Sequence, residues 1–172
     1  MADPANKFGF VSYAHADRRI FAELKKQLAP IKRNHGIEFW DDGHLDGGQE
    51  WRSEIFRKID SASVILLGLS ATFFASDFIY NEELPRIWKR KEAGALVVPI
   101  VFRRFTYDFA YPGLLDLQTL PSHQNKLRPI NDWDSTYNGC QAATEQLHNT
   151  LDRKSTHLNS SHRCISYAVF CL

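Results

Sequence analysis

Apolar and polar positions divide the chain into short apolar runs and longer stretches with helical spacing. The apolar runs that predict strands are 8–13, 36–40, 63–69 and 95–102. Between them, apolar side chains recur every three or four residues, as at Phe21, Leu24 and Leu28, which is typical of a helix with one buried face. Strands that alternate with such helices indicate βαβ units. We therefore predict an α/β fold, a flavodoxin-like five-stranded parallel sheet with helices on both faces.

Local signals set the expected bounds of several elements. Asp17 is predicted to be the N-cap of the first helix, and Pro30 is predicted to mark its end. A third helix is expected from about 78 to 92, a short edge strand at 127–131 and a final helix over 134–151. Ligands bind at the carboxyl ends of the strands in sheets of this kind. The loops that follow the strands should therefore form the functional face.

Composition and charge exclude several classes of protein. Of the 172 residues, 44% are hydrophobic, and the net charge is +1, which predicts a single soluble domain without the basic surface of a nucleic-acid partner. No apolar run reaches the ~18–20 residues of a membrane span, and we expect no membrane association. Three cysteines without zinc-finger spacing predict neither a disulfide framework nor a metal site. The expected location is the cytoplasm.

The C-terminal segment differs from the rest of the chain. The sequence STHLNSSHRCISYAVFCL resembles a translated sequencing adaptor, so we expect a folded domain over 1–151 and a non-native read-through tail over 152–172. On this interpretation the natural protein continued past Leu151, for example into a sensor domain that is now lost. The alternative is a C-terminal strand, because ISYAVF has good strand chemistry. The histidines and cysteines of the tail are therefore not candidate site residues.

Candidate chemistry centres on the third predicted helix. Neither GxGxxG nor GxxxxGK[ST] occurs, which disfavours dinucleotide-binding dehydrogenases and P-loop enzymes. Helical spacing sets Glu83 at the edge of an apolar stripe, where a carboxylate is partly desolvated, and Pro85 removes a backbone donor beside it. Such an acid near strand ends is a catalytic candidate. An ion pair of Glu83 with Arg86 or Arg90 is an equally open structural explanation.

Four segments, taken together, resemble the successive boxes of a bacterial Toll/interleukin-1 receptor (TIR) domain. They are FVSYAHAD, FWDD followed by LDGGQEWRSEI, ILLGLSATFFASDFIYNEEL, and ALVVPIVFR. The resemblance covers roughly Lys7 to Leu151 and implies the flavodoxin-like fold reached above. It also implies cleavage of NAD⁺ between nicotinamide and ribose, with Glu83 as the essential acid.

The resemblance implies further site residues. Substrate-binding positions carried over from it are Ser12, Tyr13, His15, Trp40, Asp42, Ser76 and Tyr80. The BB loop, through which TIR domains assemble, would include Leu45, Asp46, Gly47 and Gly48. Plain core packing is the alternative for Tyr13 and Trp40, and an exposed loop position is the alternative for His15. The family's aromatic residue four positions before the glutamate is replaced here by Ile79.

The function expected from the resemblance is that of an NAD⁺ glycohydrolase or cyclase in prokaryotic immune or stress signalling, such as antiviral defence. It would release nicotinamide together with ADP-ribose or a cyclic ADP-ribose isomer, with NAD⁺ as substrate and no cofactor or metal. The expected partners are NAD⁺ and further TIR domains. Two alternatives stay open: a non-catalytic scaffold or adaptor that assembles through the BB loop, and a nucleoside deoxyribosyltransferase-like enzyme.

Overall fold

A parallel β-sheet forms the centre of the computed structural model, which describes residues 7–41, 49–107 and 110–168 and gives no account of the side chains at 49 and 156–168. The sheet strands are β1 (Lys7–Tyr13), β2 (Ile37–Trp40), β3 (Val64–Leu69) and β4 (Leu96–Val101). The helices are α1 (Arg18–His35), α2 (Gln49–Ser61), α3 (Ala71–Phe74), α4 (Leu84–Glu92) and α5 (Thr136–Ala168). A two-residue hairpin pairs β5 (Ser122–His123) with β6 (Lys126–Leu127).

The strand order is β2-β1-β3-β4, and every neighbouring pair is parallel. This confirms the predicted α/β class. All six residues of β3 are buried, as its continuous apolar run requires for a central strand that is covered on both faces. The carboxyl ends of β1 and β3 meet where Tyr13 pairs with Gly68. Residues that follow these two strands therefore lie at the same edge of the sheet.

In the part of the chain that the structure describes, the parallel sheet has four strands. The prediction of a fifth strand is therefore wrong for these residues. Its place beside β4 is taken by Leu120 alone, which forms an isolated parallel bridge with Ile100. Pro121 follows and has no N–H with which to continue the pairing. The predicted edge strand at 127–131 is also wrong, because Leu127 belongs to the hairpin and Ile130–Asp132 form a 3₁₀ turn.

Helices cover both faces of the sheet, as predicted. On one face, Val11 of β1 shares a hydrophobic cluster with Leu24 of α1 and Leu147 of α5. On the other face, Phe10 shares a second cluster with residues of α2 and α4. Neighbouring residues of a strand point to opposite faces. This alternation decides which side chains of β1 can reach the helix that carries Glu83.

Helix α1 continues beyond Pro30, so the predicted end at that residue is wrong. Ile31, one residue further, is buried on the sheet, and this packing offsets the backbone hydrogen bond that proline cannot donate. The helix ends at Gly36, whose φ of 65° is left-handed and whose N–H donates to the Lys32 carbonyl. Glycine adopts this conformation without the strain that a Cβ would cause.

The predicted third helix is in fact a π-helical turn, Ile79–Glu83, that leads directly into α4. The N–H of Leu84 donates to the Ile79 carbonyl, five residues back. Pro85 lies in the first turn of α4, where its missing N–H costs little. A π turn contains one residue more than an α turn, so it changes the face on which the following side chains lie. Such turns are frequent at functional sites.

Helix α5 crosses the boundary that the sequence analysis drew at residue 151. Its backbone is helical to Ala168, and the alternative strand over 165–170 is therefore not formed at 165–168. Among the described helices, none is both long and apolar enough to cross a membrane.

Candidate active site at the carboxyl edge of the sheet

Ser12 and Glu83 are brought together by β1 and the π turn, although they lie 71 positions apart in sequence. The Ser12 hydroxyl donates a hydrogen bond of 2.6 Å to Oε2 of Glu83. Ser12 is 3% exposed and Glu83 is 4% exposed. A hydroxyl-to-carboxylate bond of this length is of the strong, charge-assisted kind. The pair therefore fixes the position of an acid that is otherwise almost fully covered by protein.

Glu83 lies deeper than the sequence analysis expected. At 100° per residue it would lie at the edge of the apolar stripe, but the π turn adds a residue and brings the side chain to the buried side. Ser76 begins this segment, since its hydroxyl accepts from the N–H of Ile79 at 3.4 Å. The predicted site residue Ser76 thus supports the backbone of the turn that carries Glu83.

The two arginines offered as ion-pair partners of Glu83 have other contacts. Arg86 donates two hydrogen bonds to the carboxylate of Asp60, and Arg90 donates to the Ala62 carbonyl at 2.7 Å. The neighbouring acid, Glu82, lies on the outer side, and its Oε1 is 3.2 Å from Nη1 of Arg52. The two consecutive glutamates therefore differ sharply in environment, which makes Glu82 a matched control for Glu83.

A second polar cluster at the same edge was missed by the sequence analysis. Asp17 is 1% exposed, and its Oδ2 accepts from the hydroxyls of Ser70 and Thr72. Arg103 follows β4, and its Nε lies 2.8 Å from Oδ1 of Asp17. The two groups form an ion pair, but the angle at Nε is too far from linear for a hydrogen bond. Asp17 is the N-cap residue of α1, as predicted, but its carboxylate forms no capping hydrogen bond with that helix.

This Asp17 cluster ties together the ends of three strands. Ser70 follows β3 and caps α3, accepting from the N–H of Phe73 at 3.1 Å. Asp17 follows β1 and Arg103 follows β4. The signal in the sequence is a polar residue soon after each apolar run, directly after it for Ser70 and Arg103 and four residues after Tyr13 for Asp17, but only the fold shows that the three meet. The cluster fixes the edge of the sheet at which Glu83 lies.

Tyr13 and Trp40 contact the hydrophobic core. Tyr13 points to the face opposite Ser12, where its ring stacks on Phe21 with centroids 4.2 Å apart. Trp40 stacks on Phe10 at 5.7 Å, with the Lys58 ammonium 5.4 Å from its ring. These contacts match the core-packing alternative for both residues. A role for either in substrate binding stays a prediction.

The remaining predicted residues divide into two groups. His15 is exposed in the 3₁₀ turn after β1, and Tyr80 contacts Tyr111 edge-on, with ring centroids 5.5 Å apart. The predicted residues that lie outside the described part of the chain are Asp42, Leu45, Asp46, Gly47 and Gly48. The BB loop therefore stays a sequence-based prediction.

The arrangement defines a class of protein: a parallel α/β sheet with a buried, hydroxyl-anchored acid beside the carboxyl ends of its central strands. The TIR domain family model matches residues 10–149, and the chain belongs to the TIR domain family. TIR domains typically self-associate and serve in signalling, in NAD-related or scaffold roles.

A curated relative supports this assignment. The chain is 36% identical over 125 residues to the uncharacterized protein y4lF of Sinorhizobium fredii. The match covers 72% of this chain and 37% of that protein. The chain thus spans less than two fifths of the length of this relative.

Proposed function

We propose that the protein is an NAD⁺ nucleosidase that cleaves the bond between nicotinamide and ribose in the cytoplasm, with Glu83 as its catalytic carboxylate. The observation that carries the proposal is the buried Glu83 carboxyl group, held by the Ser12 hydroxyl at 2.6 Å in a TIR domain. Burying a carboxylate is costly, so a fold retains one where it is paired or used in chemistry.

The proposed reaction breaks the C1′–N bond of NAD⁺, and nicotinamide leaves with the bonding electrons. The ribose then develops oxocarbenium character, which a carboxylate close to the ring or to its hydroxyls stabilises. Water attacks C1′ and loses a proton, giving ADP-ribose. Attack on C1′ by a nucleophile of the adenine end of the same molecule, without uptake of water, instead gives a cyclic ADP-ribose. Ser12 acts as a positioning residue, because it contacts Glu83 through its hydroxyl.

Access to Glu83 requires a change in its surroundings. Because only 4% of the residue is exposed, a ribose reaches the carboxyl group only after some of the covering residues move. TIR domains self-associate, and contact with a neighbouring copy that favours the opened arrangement causes such a movement. We therefore propose that turnover rises with protein concentration more steeply than in direct proportion.

The test is nicotinamide release from NAD⁺ by the full chain across a range of protein concentrations. The variants are Glu83→Gln and the matched control Glu82→Gln, which changes an acid of the outer surface. We expect release by the wild type and by Glu82→Gln, and none by Glu83→Gln. Self-association without nicotinamide release at any concentration would contradict the proposal and favour the scaffold role.

A further inference from the structure

A cluster of nitrogen and oxygen donors lies at the opposite edge of the sheet from Glu83. It consists of His35, at the end of α1, and His148 and Asp152, one turn apart on α5. His35 is followed by Gly36 and the first residue of β2, which places the cluster at the amino ends of the strands. We call these three residues the His–Asp cluster. The proposed activity does not use them.

The donor atoms of the cluster are close enough to share one ion. Nε2 of His35 lies 2.6 Å from Nδ1 of His148. Asp152 places Oδ1 3.8 Å from Nε2 of His35, and one ligand atom from each of the three residues lies within 4.8 Å of the others. Two nitrogen ligands of a tetrahedral zinc ion are about 3.3 Å apart, given Zn–N bonds of ~2.0–2.1 Å. The two imidazoles need to separate by less than about 1 Å to admit the ion.

We propose that the His–Asp cluster binds a divalent transition-metal ion, with zinc as the preferred ion. Two imidazoles and one carboxylate are a donor set that suits Zn²⁺, whereas Ca²⁺ and Mg²⁺ require mostly oxygen ligands. The bound ion replaces the proton that the two imidazole nitrogens share. Because one ligand lies on α1 and two lie on α5, the ion joins the two helices that cover one face of the sheet.

The surroundings favour such a site. The side chain of His35 is 9% exposed, so its ring is held in place by packing and loses little freedom when it binds a metal. His35 also lines a cavity of about 730 Å³ with Lys7, Leu96 and Leu151. Water from this cavity can complete the coordination of the ion. Both histidines lie within the family match at 10–149, whereas Asp152 is the first residue of the segment that the sequence analysis expects to be a non-native tail, so the two histidines are the principal ligands of the proposed site.

The test is a titration of Zn²⁺ into the metal-free full chain, followed by calorimetry. We expect one ion per chain, and His148→Gln should bind at least about 100-fold more weakly, since even the outer-shell partners of zinc ligands are worth 10–100-fold. Asp152→Asn should weaken binding about tenfold or more. At a zinc concentration 100 times the Kd, the melting temperature of the wild type should rise by about 5–10 °C.

The C-terminal segment supplies a matched control, because it contains two further histidines and two cysteines. The double variant His157→Gln/His162→Gln should bind zinc as the wild type does. Co²⁺ in place of zinc should show no thiolate-to-metal charge-transfer band, because the cluster contains no sulfur. The proposal is overturned if the wild type binds no ion, if His148→Gln binds as tightly as the wild type, or if the control variant loses binding.

Discussion

The hydrogen bond from Ser12 to Glu83 gives a quantitative prediction for Ser12→Ala. The bond is 2.6 Å long, is buried at both ends and ends on an acid, so its loss should cost about 1.5–3 kcal/mol of unfolding free energy. For a chain of this size, that cost lowers the melting temperature by about 3–12 °C. The fold should survive, because only one oxygen atom is removed.

The same variant should lower NAD⁺ cleavage. If the lost bond is what orients Glu83 in the transition state, its ~1.5–3 kcal/mol correspond to a reduction of about 10–150-fold in kcat. KM should change little, because Ser12 acts through Glu83 and not through bound substrate. The assay is steady-state nicotinamide release, measured at a temperature well below both melting temperatures.

Ser63→Ala is the matched control for this prediction. Its hydroxyl donates a neutral hydrogen bond of 3.1 Å to the Phe8 carbonyl at the other end of the sheet. We expect a loss of about 0.5–1.5 kcal/mol of stability and unchanged kcat. Full activity in Ser12→Ala would refute the positioning role. An equal loss of activity in both serine variants would show that the fall in kcat of Ser12→Ala comes from lower stability alone.

Three further predictions concern the stability and reactivity of the fold. Gly139→Ala should lower the melting temperature, because the added Cβ would lie 2.7 Å from the Ile130 carbonyl oxygen. This clash should outweigh the better helix propensity of alanine, and a thermal unfolding curve shows whether the melting temperature falls or rises. Asp17→Ala should cost about 3 kcal/mol in denaturant unfolding, because two hydroxyls lose a charged acceptor, and Arg103→Gln should cost about 1–3 kcal/mol, because it leaves Oδ1 of the buried Asp17 without its ion partner. Burial raises the pKa of the Cys140 thiol to about 12, so alkylation mapped by mass spectrometry should leave it unmodified at pH 8 until the protein unfolds.

The sheet could be predicted because each strand is a continuous apolar run and each covering helix has regular spacing. The predicted end of α1 was wrong because Pro30 is a local signal, whereas the burial of Ile31 depends on the whole fold. The fifth strand was wrong because it is reduced to the single bridge at Leu120. Local signals state what a segment prefers, and tertiary contacts decide how far it extends.

The candidate site was predicted in its residues but not in its geometry. The resemblance pointed to Ser12 and Glu83, yet no spacing rule predicts a hydrogen bond between residues 71 positions apart. An α-helical period placed Glu83 at an edge, and the π turn buried it. The N-cap position of Asp17 could be predicted because capping is local, whereas the contact of its carboxylate with Ser70 spans 53 positions and could not.

The central claim is that Glu83 cleaves NAD⁺, and a proton NMR time course tests it most directly. NAD⁺ is incubated at the same high protein concentration with the wild-type full chain, with Glu83→Gln or with Glu82→Gln. Light scattering checks that the three proteins self-associate to the same extent. The account predicts free nicotinamide, together with ADP-ribose or a cyclic ADP-ribose, with the wild type and Glu82→Gln, and intact NAD⁺ with Glu83→Gln. Equal cleavage by Glu83→Gln, or intact NAD⁺ with an associated wild type, would contradict it.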